Sequence, residues 1–270
     1  KMNTEIAKKE TNLPAEVNNQ PTTVLKSDIV IPKLLLMQGL SDLVNERKAQ
    51  QGDFVKSSTA EKYGDDKLPV EFIPLTFQNL WLVSEDTKGD GKKYEFRRYE
   101  PRTAQNEEFP WDYIENGTKW KRTKIMSLFA LLPKDIDAQT KMMKEFEETG
   151  ELPDVDKVLL PVVIQFKNTS FKAGKEVATL FAKAESISRT LGKPVPAFGT
   201  TMRLSCVSDK NDKGNFFVMK VESAGKTKAE YRDSAANWYS QLLSLGAAIK
   251  VDESDVVQTT EEEFTEPTNF

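Results

Sequence analysis

Residues 88–124 read KGDGKKYEFRRYEPRTAQNEEFPWDYIENGTKWKRTK. Ten Lys or Arg side chains and seven aromatics (Tyr94, Phe96, Tyr99, Phe109, Trp111, Tyr113 and Trp120) fall within these 37 positions. Two turn signals punctuate the stretch, Gly89-Asp90-Gly91 and Asn116-Gly117. Both supply residues that tolerate the positive φ angles of tight hairpins, so each predicts an antiparallel strand on either side. Strands are expected over 92–99, 111–114 and 119–132, with a polar loop over 100–110. Alternate side chains of a strand share a face. That groups Tyr94 with Phe96, Trp111 with Tyr113, and Trp120 with Arg122 and Lys124. Two readings are open for such a pattern. The rings are ordinary sheet core with solvated charges between them, or they are platforms for bases with cations set to meet phosphates.

Upstream, 68–76 and 79–84 read as strands, and Gly52-Asp53-Phe54 as a turn into a short one. Residues 31–39 are an almost continuous apolar run, open to helix or strand. Ser58 followed by Glu61 has the spacing of a capping box, which predicts one helical turn ending at Gly64. Downstream, 135–148 reads as a helix closed by Gly150, inserted between strands. VLLPVVIQF at 158–166 is the most hydrophobic segment and reads as a central strand, although Pro161 demands an edge or a bulge. Ser170 opens an amphipathic helix with Phe171, Gly174, Val177, Phe181, Ala184 and Leu191 near one face, stopped by Gly192 and Pro194. Strands at 198–208 and 215–223 follow, joined by Asp212-Lys213-Gly214. Thr227 with Glu230 suggests a second capping box, before a helix striped by Tyr231, Ala235, Trp238, Leu242 and Leu245. The expected fold class is α+β: an OB-fold-like antiparallel β-barrel with inserted hairpins and two or three helices. The expected division is a flexible arm over 1–27, one domain over 28–250 with a helical insertion at about 135–150, and an acidic disordered tail over 251–270.

Composition narrows the function. The chain has 270 residues, 38% hydrophobic and 30% charged, with one cysteine and no histidine. Absence of histidine removes Ser-His-Asp and Cys-His catalysis and the commonest zinc ligand. Cys206 alone cannot form an internal disulfide, and its apolar neighbours suggest a buried strand position, which fits a reducing compartment. No phosphate-binding glycine loop is present; Ala173-Gly174-Lys175 lacks the first glycine of one. Neither an enzyme nor a cofactor is expected, and no apolar run is long enough to predict a membrane span. Net charge is −4, yet residues 252–270 hold seven acids and no Lys or Arg, which leaves +3 on the rest. A mildly basic body thus carries an anionic end.

Several segments together resemble a known family. They are Ile31-Pro32-Lys33-Leu34-Leu35-Leu36-Met37-Gln38-Gly39 with Gly52-Asp53-Phe54, the block Pro161-Val162-Val163-Ile164-Gln165-Phe166-Lys167-Asn168-Thr169-Ser170-Phe171-Lys172-Ala173, and the later Gly214-Asn215-Phe216-Phe217. In pattern and order, over about residues 29–223, they resemble the single-stranded DNA-binding proteins of tailed bacteriophages. An acidic tail ending in an aromatic, Glu261-Glu262-Glu263-Phe264-Thr265-Glu266-Pro267-Thr268-Asn269-Phe270, is a further shared trait. The insertion at 135–150 has no place in that pattern, and Val256-Val257-Gln258-Thr259-Thr260 dilutes the tail.

The resemblance implies an OB core that coats single-stranded DNA in phage replication or recombination, in the cytoplasm of an infected bacterium. Stacking would fall to Tyr94, Phe96, Tyr99, Trp111, Tyr113 and Trp120, with Trp120 foremost because Lys119, Lys121 and Arg122 surround it. Phosphate contacts would come from Lys92, Lys93, Arg97, Arg98, Lys121, Arg122 and Lys124. Lys167, Lys172 and Lys175 add cations near a helix start, where they oppose the helix dipole unless an anion faces them. Arg203, in an apolar strand, is either a DNA contact or one half of an ion pair. The tail residues Glu261, Glu262, Glu263, Phe264, Glu266 and Phe270 would compete with DNA for the basic groove and dock a polymerase, primase or helicase. Homo-oligomerisation stays open. Trp81 and Trp238 are expected in the core, with Met126, Met142 and Met143 as gap fillers. A virion or assembly protein with aromatic subunit contacts, and a strand-annealing recombination mediator, are the alternatives.

Overall fold

The computed structural model describes residues 31–39, 41–85, 97–152, 161–212 and 214–245. In chain order the elements are β1 (Leu34–Leu36), α1 (Asp42–Asn45), β2 (Phe54–Lys56), β3 (Lys62–Gly64), β4 (Val70–Glu85), β5 (Arg97–Pro101) and β6 (Asp112–Glu115). There follow β7 (Thr118–Leu131), α2 (Pro133–Thr149), β8 (Val162–Lys167), α3 (Phe171–Leu191), β9 (Thr200–Asn211), β10 (Gly214–Lys226) and α4 (Ala229–Leu245).

The spine is the antiparallel pair β4–β7, registered from Ile73 opposite Leu131 to Glu85 opposite Trp120. The two strands expected at 68–76 and 79–84 are one 16-residue strand. Pro74 is accommodated because the register slips between Pro74 and Thr76, a bulge that spares a ladder bond proline cannot donate to. On its free edge β4 takes β9 at Val70–Phe72 and β5 at Leu80–Ser84. The free edge of β7 likewise takes β8 along Ile125–Ala130 and β6 along Thr118–Lys121. The sheet therefore has a core end, bordered by β9 and β8, and an arm, bordered by β5 and β6.

Strand alternation sorts the core end into two apolar faces. Phe72, Met126, Leu128, Ala130, Ile164 and Phe166 meet α3, β1, β2, β9 and β10 on one side. Ile73, Leu75, Phe129, Leu131 and Val163 meet Ile136 of α2 and Tyr231, Ala235 and Leu242 of α4 on the other. Trp238 packs half-buried against this second cluster. β1, β2 and β3 form a separate three-stranded sheet, linked to β8 by a parallel bridge from Lys33 to Val163.

The α+β class with antiparallel sheets is observed, with four α-helices among the described residues, of which α1 is a single turn. Among the described residues the strands do not close into a complete barrel. β8 is not central: β7 lines one edge, the other carries, among the described residues, the Lys33 bridge, and Pro161 stands just before the first paired residue. The helical turn expected from Ser58 and Glu61 is instead a turn into β3, because Phe54 and Val55 pair with Gly64 and Lys62. Thr227 forms no capping box; buried, its hydroxyl donates to the Phe198 carbonyl at 2.7 Å and accepts from Thr201 at 3.2 Å. Leu191 and Met143, expected inside, are exposed; the last buried residue of α2 is Ile136 and of α3 is Ala184. The arm expected at 1–27 and the tail at 251–270 lie outside the described residues. No described helix is long and apolar enough to cross a membrane.

Candidate nucleic-acid interface

The site is built on the arm. Asn116 and Gly117, at φ 51° and 81°, make the tight turn between β6 and β7 that their sequence predicts. Alternation then places Trp81 and Val83 of β4, Arg98 and Glu100 of β5, Tyr113 of β6 and Trp120, Arg122 and Lys124 of β7 on one face. The loop from Arg102 to Trp111 folds over that face. Asn106 anchors the loop: its side-chain oxygen accepts from the Trp81 indole N–H at 3.1 Å and from the Thr103 amide at 2.8 Å, and its amide donates to the Pro101 carbonyl at 2.8 Å.

Trp81 is the hub and is fully buried. Around its ring stand the Arg122 guanidinium at 4.9 Å, that of Arg102 at 5.4 Å and the Lys124 ammonium at 5.5 Å, distances at which cations are attracted to a π face. Trp111 meets Trp81 edge-on, with centroids 5.5 Å apart. Lys124 also lies 5.0 Å from the Trp111 ring, and Arg122 5.2 Å from Phe109. At the arm's tip Arg98 sits 5.3 Å over Trp120 and reaches the Tyr113 hydroxyl at 3.4 Å. Trp111 and Phe109 are 45% and 54% exposed, so this face presents rings to solvent, while Ile114, 69% exposed, pairs with Lys119 on the opposite face.

Two carboxylates pair with four of the cations. Glu100 accepts from Arg98 at 2.6 Å and from Arg122 at 3.0 Å. Burial pushes its carboxyl pKa up, but the hydrogen bonds from Arg98 and Arg122 outweigh that and hold it below the ordinary range. Glu107 takes a two-pronged bond from Arg102, both contacts 3.1 Å, and pairs with Lys124 at 2.7 Å. Those bonds, Arg102's first, lower its pKa too. Among the described residues, the buried Arg102 Nη1 and Arg122 Nε have no hydrogen-bond partner.

Several expected contacts converge here and others do not. Arg98, Trp111, Tyr113, Trp120, Arg122 and Lys124 share the face, but Arg122 is 4% exposed and faces the loop rather than solvent. Tyr99, Lys121 and Lys167 lie opposite Leu82, Ser84 and Ile125, on the other face of the arm. Tyr99 packs there against Leu80, Leu82 and Ile125. Lys175 is joined through Phe171, whose ring lies 5.6 Å from Lys175 and 5.8 Å from Arg102; Lys172 is exposed on the same turn. Arg203 pairs with Glu71 at 3.3 Å and Glu222 at 3.4 Å, roughly 30 Å along β4 from Trp81 by strand rise. Arg97 opens β5 opposite Ser84. Lys92, Lys93, Tyr94, Phe96 and the tail residues Glu261–Phe270 lie outside the described residues.

The residues that sequence reasoning missed are Glu100, Arg102, Asn106 and Glu107. All lie in what reads as a polar loop or its border. Their one signal is the return of acids between two cation-rich strands.

A family model for the Pam3 phage gp34-like protein matches residues 8–248. No curated protein and no solved structure matches the chain. The matched range spans the spine, both faces of its core and the whole described arm. The chain is a bacteriophage protein, a member of the Pam3 phage gp34-like family.

Proposed function

We propose that this phage protein binds single-stranded DNA during replication or recombination, with the arm face around Trp81 as its contact surface. The observation that carries the proposal is solvent-exposed Trp111 set beside Lys124 and within one loop of Arg102. Exposed rings among cations suit nucleic acid without sequence readout, each stacked base contributing roughly 1–3 kcal/mol. Trp111 is the favoured platform. Trp120, half-buried beneath Arg98, is the second. Lys124, Arg98, Arg102 and Lys175 are the favoured phosphate contacts. The acidic tail would compete for these cations and offer Phe264 and Phe270 to replication proteins. An annealing mediator would use the same surface in an oligomer.

The test is Trp111→Ala. The variant should bind a labelled dT oligomer about tenfold more weakly, the cost of one stacked base, with its melting temperature little changed. Equal binding would remove Trp111 from the site. A second reading, a virion or assembly protein, draws on one specific feature. The arm cations are already paired with Glu100 and Glu107, while Phe109 and Trp111 expose apolar surface suited to a subunit contact. That reading expects a salt-insensitive oligomer with no affinity for oligonucleotides.

A further inference from the structure

The pairing of cations with acids on the arm has a consequence of its own. We infer that Arg102 and Lys124 form a phosphate subsite beside the Trp81–Trp111 pair, which the Glu107 carboxylate fills when no nucleic acid is bound. The inference rests on single-strand binding at this face.

The geometry around Glu107 is that of an anion site. Arg102 presents Nε and Nη2 to its two carboxylate oxygens, each at 3.1 Å, and the Lys124 ammonium closes on one of them at 2.7 Å. A guanidinium fork engages a phosphate in the same two-pronged way. Arg102 Nη1 is buried and, among the described residues, lacks a hydrogen-bond partner. A backbone phosphate offers the same two anionic oxygens as a carboxylate, so it can take the place of Glu107 on the Nε–Nη2 fork. Lys124 lies against the Trp111 ring, so a base stacked on Trp111 would carry its own phosphate toward the subsite.

The two acids of the cluster are not equivalent. Glu100 belongs to β5, held by the ladder opposite Trp81, and it neutralises a buried arginine. Glu107 stands on the covering loop, its side chain 40% exposed, and it pairs with Arg102 and with Lys124, whose ammonium lies 5.0 Å from the solvent-exposed Trp111 ring. A side chain on a loop can leave by local rearrangement while the strand register is kept. Glu107 is therefore the carboxylate that a phosphate displaces, and Glu100 the one that stays.

The experiment measures binding of full-length protein to an unlabelled dT oligomer by tryptophan fluorescence. Glu107→Gln keeps the shape and removes the competing charge. It should bind about tenfold tighter than the parent chain, and the plot of log K against log salt should steepen by roughly one phosphate's worth. Its melting temperature should fall modestly, because Arg102, 14% exposed, loses a carboxylate but keeps the glutamine oxygen as an acceptor. Glu108→Gln, the same charge change one residue on, should leave affinity within about twofold. Lys124→Gln added to Glu107→Gln should erase the gain. If Glu107→Gln binds no tighter, or Glu108→Gln gains as much, the subsite is wrong while single-strand binding stands. If neither the parent chain nor Glu107→Gln binds the oligomer, the proposed function itself falls and the subsite with it.

Discussion

Arg122 keeps a full charge with 4% of its surface exposed, and it can do so because protein groups replace its water. Glu100 accepts from Nη2, the Asn106 carbonyl lies 3.5 Å from Nη1, and the rings of Trp81 and Phe109 lie against the guanidinium. A buried charge stripped of its partner costs several kcal/mol. Arg122 thus holds the loop to the arm, and phosphate contact falls to Lys124 and Arg102. Glu100→Gln, which leaves Arg122 buried without its anion, should lower unfolding stability by about 3 kcal/mol in urea denaturation. A loss under about 0.5 kcal/mol would mean that Arg122 is hydrated after all. The same residue shows how far the site was legible. Lys-Trp-Lys-Arg at 119–122 announces rings among cations, and alternation correctly puts Trp120, Arg122 and Lys124 on one face. What alternation cannot disclose is a cover from residues 102–111 laid over that face. It turns the most crowded cation inward and leaves Trp111 more open than Trp120.

Elements that carry their own local signal came through intact. Asn116-Gly117 made its hairpin, Gly150 and Gly192 closed α2 and α3 at φ 71° and 63°, and the α3 stripe buried Gly174, Val177 and Ala184. Elements whose signal competes with a tertiary partner did not. Ser58 and Glu61 have the spacing of a cap, but pairing of β3 with β2 satisfies more backbone groups than one helical turn could. Thr227 was diverted to Phe198 and Thr201. The junction of α3 with the sheet depends on Gly174, where a β-carbon would stand 2.7 Å from the Met126 sulfur and 2.9 Å from the Phe166 Cβ. Gly174→Val should cost about 2 kcal/mol through overpacking, although valine is intrinsically the better helix former. Unchanged stability in a thermal melt would show that α3 rides higher on the sheet. Because Phe171, one turn before Gly174, lies against both Arg102 and Lys175, the residue after Gly174, the same variant should also weaken oligomer binding.

Across the whole molecule the β4–β7 spine divides the work. Its core end is apolar on both faces and clothed by helices, while its arm carries rings and cations on one face and Tyr99 with aliphatic residues on the other. Overall charge is no guide to the partner, since a net −4 combines a mildly basic body with seven acids in the last 19 residues. Local charge matters more, and on the arm face four cations, Arg98, Arg102, Arg122 and Lys124, share two carboxylates, Glu100 and Glu107. Binding should therefore come from stacking and phosphate contact together, which gives it a definite salt dependence. The most direct experiment is to titrate the intrinsic tryptophan fluorescence with an unlabelled dT oligomer at about 50 and about 200 mM salt. Saturable quenching is expected, with affinity falling about 20-fold between the two if three phosphates are neutralised on a single strand. Fluorescence that ignores the oligomer at the lower salt, or an affinity that does not move with salt, would contradict a nucleic-acid surface on the arm.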